Sequence, residues 1–138
     1  MNDTSAGFGS DGDVAVLAQI VAGVESVDAT LRQAEVAQLR WFARAGQLAE
    51  GQAAGATQSV KAHEMALRSI AAELSGILRA SDRTVQRRID EARTVVEDYP
   101  ATLTAWEDGR ITRGHVRVIV EAGCVVPAEA RERFEAEA

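Results

Sequence analysis

Little in this sequence can cross-link, break or stiffen the chain. It has one cysteine, Cys124, so no intrachain disulfide is possible, which fits a reducing cytosol. Proline occurs only at Pro100 and Pro127, so helix breaks are few and informative. Aromatics make up 4% of the residues against 46% apolar residues overall, many of them alanine. That balance favours close helix packing over a sandwich or barrel. No convincing strand and no internal repeat is visible. The polar, acidic, Gly/Ser-rich start lacks the basic and apolar regions of a signal peptide. No apolar run approaches the ~20 residues of a membrane span. These absences describe a soluble cytoplasmic protein with no membrane partner. The excess of basic charge that marks an indiscriminate nucleic-acid binder is also missing, since the formal net charge is −6.

The charge that is present is unevenly placed. Residues 1–78 carry five basic and nine acidic residues, and residues 118–138 carry two and five. Residues 79–117 carry eight arginines against seven acids. Arginine suits planar, bidentate recognition of phosphate or guanine better than lysine does.

The same central stretch holds the clearest local pattern. A helix running from about Val60 ends near Arg79, and Ser81 or Asp82 is placed to cap the next one. Val85, Ile89, Ala92 and Val96 form its buried stripe. Two helices, a tight turn and arginines at the exposed start of the second describe a helix-turn-helix, in which Arg83, Gln86 and Arg87 face the groove of DNA. Arg79 stands where such a turn usually has glycine, which implies a longer or differently shaped turn. The competing reading is a helical corner whose arginines pair with Asp90 and Glu91.

Around this centre the organisation is helical. Residues 1–13 read as a disordered tail, and 14–138 as one domain: an N-terminal helix region (14–50), a helix-turn-helix core (59–122) and a C-terminal helix (127–138). In the first region Val14, Leu17, Val21, Val24, Val27, Leu31, Ala34, Trp41, Ala45 and Leu48 follow steps of three and four, with Gln38 the interruption. This is one long helix or a hairpin broken near Gly23 or Ser26, packed in the same chain or against a second copy. Val36, Leu39 and Phe42 make a further apolar edge. Residues 50–58, with two glycines, form a loop. Ser59 caps the helix that follows, with Met65, Ile70, Leu74, Ile77 and Leu78 as its apolar side. Tyr99-Pro100 ends a helix, a short one spans Ala101 to about Asp108, Gly109 takes a left-handed cap position, and Thr112 caps the next. Cys124 reads as a small core residue and His63 as a packing or surface histidine. His115 is placed for a structural hydrogen bond or a phosphate contact.

The ordered series His63-Glu64-Met65-Ala66, Ala72-Glu73-Leu74, Leu78, Ser81 with Thr84, Glu91-Ala92, Pro100-Ala101-Thr102-Leu103, Gly109-Arg110-Ile111 and His115-Val116-Arg117-Val118-Ile119 resembles an actinobacterial domain of unknown function found N-terminal to HNH endonuclease domains. It is more distantly similar to the helix-turn-helix domain of ParB-type partition proteins. The resemblance implies an all-α DNA-associated module, usually coupled to a metal-dependent nuclease. The two histidines lie in separate helices, and no His/Asn/His cluster is present to hold a metal and activate water. No catalytic residue, metal ligand or cofactor is therefore expected in this chain, which stops before a nuclease segment. The expectation is an all-α helical bundle with an embedded helix-turn-helix that binds double-stranded DNA. Arg83, Gln86 and Arg87 would approach the bases or phosphates, and Arg79, Arg110, Arg113 and Arg117 would hold the backbone. The alternative is an interaction or dimerisation module that uses the helix-turn-helix as scaffold, with a homodimer formed through the N-terminal helix.

Overall fold

The computed structural model describes residues 10–138, and these form an all-α fold with no strand among them. The elements in order are α1 (Asp11–Ala53), α2 (Ser59–Leu78), α3 (Asp82–Arg93), α4 (Pro100–Glu107), α5 (Arg113–Gly123) and α6 (Arg131–Glu137). A π-helical turn, Thr94–Asp98, extends α3, and a 3-10 turn, Ala128–Ala130, precedes α6.

α1 is a single helix of 43 residues, about 65 Å long. It passes Gly23 and Ser26 without a break, so the hairpin alternative is ruled out. Residues 1–9 of the expected tail lie outside the described residues. The last part of that tail is ordered: the Ser10 hydroxyl accepts the Asp13 N–H at 3.0 Å, and Asp11 and Asp13 lie in the first turn. Both features stabilise a helix start. The helix also runs on past Glu50 to Ala53, leaving a shorter loop than 50–58. Gln58, not Ser59, holds the cap position of α2, and no side chain bonds there.

The face α1 buries is not the long stripe. Val21, Val24, Val27, Leu31, Trp41 and Leu48 are each 47–65% exposed. The buried positions are Val36, Phe42, Ala43, Gly46, Ala49 and Ala53. The second apolar edge, with Phe42 only 6% exposed, is thus the core edge. The reason is size. Ala43, Gly46 and Ala49 lie beside it, and small residues let a neighbouring helix approach closely. α2 shows the same exchange: it buries Leu67 and Ala71, while Met65 and Ile77 face solvent.

Two clusters make the core. In the first, Phe42, Ala43 and Ala49 pack with Leu67 and Ala71 of α2 and Val85, Ile89 and Ala92 of α3. In the second, Val36 packs with Val95, Leu103, Trp106 and Val116. Leu39 and Val96 touch both. α6 closes the far end. Its Glu135 carboxylate accepts the Thr102 N–H at 2.7 Å and hydroxyl at 2.8 Å, acting as a remote cap for α4, which has no side-chain cap of its own.

α1 and α3 approach closely at Gly46. A Cβ there would lie 2.3 Å from Arg93 Cδ and 3.0 Å from Ile89 Cγ2. Arg93 is held by Glu97 at 3.0 Å and Glu50 at 2.5 Å. Burial alone would lower its pKa, but the bonds to Glu97 and Glu50 outweigh that and raise it. The side chain therefore has little room to step aside. Gly46→Val is expected to lower stability by about 2 kcal/mol, the scale of overpacking. Denaturant unfolding should also show Gly46→Ala costing less in an Arg93→Ala background than in the native chain.

A second clamp joins α1 to the end of α4. Arg40 pairs with the Glu107 side chain, and Arg32 Nε donates to the Glu107 carbonyl at 3.3 Å. The bond from Arg40 holds the Glu107 carboxyl below its ordinary pKa. A lowered folded-state pKa contributes stability above the unfolded value, and that contribution is lost as pH falls through the folded value. The melting temperature of Arg40→Ala should therefore lie below that of the native chain at pH 7. The gap should shrink as pH falls through and below the ordinary carboxylate range. A gap independent of pH would separate Arg40 from this titration.

Candidate nucleic-acid interface

α2 and α3 are joined by three residues, 79–81. Of the longer or differently shaped turn expected here, the longer form is not found. Arg79 itself adopts the left-handed conformation, φ 52° and ψ 41°, and the Ala80 N–H reaches back to the Ser75 carbonyl at 3.2 Å. This is a Schellman closure with arginine in the place that favours glycine. Ser81 then caps α3, accepting the Thr84 N–H at 3.1 Å and donating to Thr84 Oγ1 at 2.9 Å. Val85, Ile89 and Ala92 are buried, which turns Arg83 and Arg87 to solvent and leaves Gln86 half-buried.

Along the rest of α3 the surface becomes a groove of about 540 Å³ between α1, α3 and α5, with Trp106 of α4 in its lining. Arg87 and Arg88 enter it from α3, and Arg113 and Arg117 from α5. Leu39, Phe42, Val95 and Val116 give it an apolar floor. Glu35, Glu91 and Glu121 also line it, so four arginines face three carboxylates. Such a groove can hold an anionic group between paired guanidiniums. Its small positive excess does not make a broad phosphate-neutralising surface.

Three of the expected contact residues, Arg87, Arg113 and Arg117, thus converge on one groove. Arg79, Arg83, Gln86 and Arg110 do not line it. Arg79 and Arg83 stand at and just after the turn. Arg110 lies in the turn after α4, 3.4 Å from Asp108. Arg87 is 3.9 Å from Glu91, the i,i+4 partner of the competing reading, and Arg113 is 3.5 Å from Glu35. Among the described residues Arg79, Arg83 and Arg117 have no ion-pair partner. Such exposed pairs hold an arginine weakly.

Arg88 was missed from sequence. Its guanidinium lies 4.7 Å from the Phe42 ring centroid, and Nη2 donates to Gln38 Oε1 at 2.9 Å. The available signal was its place beside the buried stripe, where an arginine lays its stem on apolar surface and keeps its head wet. Gln38, the polar interruption in the α1 stripe, is the residue that meets it.

The remaining candidates resolve into structural roles. Thr112 caps α5 as expected. The Thr112 N–H donates to His115 Nδ1 at 3.0 Å, and the His115 N–H donates to Thr112 Oγ1 at 3.3 Å, a reciprocal capping box. His115 therefore makes the structural bond. Gly109 has φ +79°, the left-handed position expected for it. Cys124 is exposed, not a core residue, because it follows the last buried position of α5. No group of three His, Cys, Asp or Glu that could hold a metal occurs among the described residues.

The family model for a domain of unknown function, DUF222, matches residues 25–137. The chain belongs to the DUF222 family. The matched span includes the second half of α1, the α2–α3 turn and every arginine of the groove, while the first turns of α1 in this DUF222 chain precede it. No curated protein and no solved structure matches the chain.

The left-handed arginine gives a test of the turn. A non-glycine residue in that conformation is strained by roughly 1–2 kcal/mol. Arg79→Gly should therefore raise stability by about 1 kcal/mol in denaturant unfolding, after glycine's greater unfolded-state entropy is deducted. An unchanged or lowered midpoint would mean that the arginine side chain contributes more than the strain removes.

Proposed function

We propose that this DUF222 domain binds double-stranded DNA, as the targeting part of an HNH-endonuclease-type protein whose catalytic residues lie outside this chain. The observation that carries the reading is the convergence of Arg87 and Arg88 with Arg113 and Arg117 on one groove. That groove adjoins a turn where Arg79 and Arg83 are exposed. In this reading α2, the turn and α3 act as a helix-turn-helix. Arg83, Gln86 and Arg87 approach base edges or phosphates, and Arg79, Arg110, Arg113 and Arg117 hold the backbone. A net charge of −6 keeps non-specific affinity low, so contacts depend on geometry more than on the overall field. The protein works in the cytoplasm and uses no cofactor of its own.

A second reading is an interaction module, and one observation favours it: the bulky stripe of α1 is exposed along its length. The two readings separate in a titration of labelled duplex DNA at several salt concentrations. DNA binding predicts that Arg87→Ala with Arg117→Ala, one substitution from each helix, weakens binding and flattens the salt dependence by a slope of about 2. Helical content should stay unchanged. Absence of binding by the native chain at low salt, or a slope that the double variant leaves intact, would overturn the DNA reading.

A further inference from the structure

By length and composition α1 contains a stretch that could cross a membrane, none of it buried, contrary to the expectation that no apolar run comes near a span. Its pattern points elsewhere. From Leu17 to Leu48 apolar side chains recur at alternating steps of three and four, with Gln38 the one polar member. A mean step of 3.5 is the period of a left-handed two-helix coil, not of a helix wetted all round by lipid. Gln19, Glu25, Ser26, Asp28 and Gln33 lie off this line, and a lipid-facing helix would have to bury them. Ile20, Val24, Val27, Leu31, Trp41 and Leu48 are each 54–65% exposed. The core face between Val36 and Ala53 is another side of the helix, already covered by α2 to α5, with Ala45 of the seam half-buried at its border.

We infer that a second copy of this chain covers the seam, its α1 running antiparallel, with residues whose numbers add to 65 placed opposite one another. Three observations select this occupant. The first is area. The six exposed side chains offer on the order of 700 Å² per copy, close to the ~800 Å² that each partner buries in a standard interface. The second is volume. Antiparallel pairing sets Leu31 against Ala34 and Ile20 against Ala45, bulky against small, and Trp41 against Val24. Parallel pairing would set Trp41 against itself and leave the alanine layers facing each other. The third is charge. Residues 11–30 carry Asp11, Asp13, Glu25 and Asp28 and no basic residue, whereas residues 31–53 carry three arginines and two glutamates. Antiparallel pairing lays the acidic half along the basic half, whereas parallel pairing would lay the acidic halves side by side. One close pair opposes it, since Asp28 and Glu35 of the two copies come near each other. Both are at the edge, where screening is strong.

The test uses the full chain with Cys124→Ser and no DNA, so its result is independent of the groove. Sedimentation from 1 to 100 µM should give a dimer. Val24→Glu with Leu31→Glu should give a monomer of unchanged helical content, because neither residue touches the core. A chain with Ile20→Cys, mixed with one carrying Ala45→Cys and oxidised, should form a disulfide-linked pair, and Ile20→Cys alone should not. A native chain that stays monomeric at 100 µM would overturn the inference. So would a dimer that survives both glutamates, or Ile20→Cys chains that link to themselves. Sedimentation of the native chain with phosphatidylcholine–phosphatidylglycerol vesicles, abolished by the same two glutamates, would assign the seam to a membrane instead.

Discussion

The fold depends on how closely α3 can lie against α1, and that distance is set at Gly46. The Arg93 stem fills the space a side chain would occupy there, and Glu50 and Glu97 hold its charged end. Ala43 and Ala49 extend the flat surface on either side, and Ile89 and Ala92 pack in the same cluster. With α3 fixed in this way, Phe42 closes the first core cluster and presents its ring to Arg88. The arginines of the groove are thus aimed in part by a contact at Gly46 and Arg93, neither of which lines it. The same packing accounts for the exposed seam. A face of small residues gives closer helix contact than a face of valines and leucines, so the small face goes inward and the bulky one is left over.

Much of the local structure was legible because it rests on single residues with one strong preference. Ser81 and Thr112 cap, Gly109 turns left-handed, and Tyr99-Pro100 ends the helical run that begins with α3. The choice of face on α1 was not legible. Periodicity finds a stripe but not the direction it points, and α1 has two stripes. The longer, bulkier one invites assignment to the core on hydrophobicity alone. The decisive signal, alanine and glycine at 43, 46 and 49, is weak in any hydropathy reading because small residues score low while permitting the tightest packing. Arg79 shows the opposite error. Arginine in a glycine position suggested a longer or differently shaped turn, yet the hydrogen bonds of the closure outweigh the strain of one residue.

The groove was half legible. Counting charge located the arginine-rich centre of the chain, and helical spacing turned Arg83 and Arg87 outward. Neither shows that α5 folds back to bring Arg113 and Arg117 beside Arg87, because that depends on Val116 packing into the second cluster with Val36 and Trp106. Nor do they show the carboxylates. Glu35 arrives from α1 and Glu121 from the far end of α5, and with Glu91 they nearly balance the guanidiniums. A site built this way gains little from the long-range field. On the DNA reading proposed above, binding energy would come from directed, bidentate contacts made after the acids are displaced or accommodated.

Gln38 ties the two surfaces together. It is the polar member of the exposed α1 seam, and it also lines the groove, where its side-chain oxygen holds Arg88. A helix seated on the seam comes up against the same amide that orients a groove arginine. One hydrogen bond at 2.9 Å is too small a coupling to switch a site by itself, since shifting a two-state equilibrium fully takes several kcal/mol. It is large enough to bias the Arg88 rotamer between the face of Phe42 and open solvent, because a bond to a charged donor contributes about 1.5–3 kcal/mol before screening. Association along α1 would therefore act on the groove through side-chain order at Arg88, with no movement of the backbone that Gly46 and Arg93 hold in place.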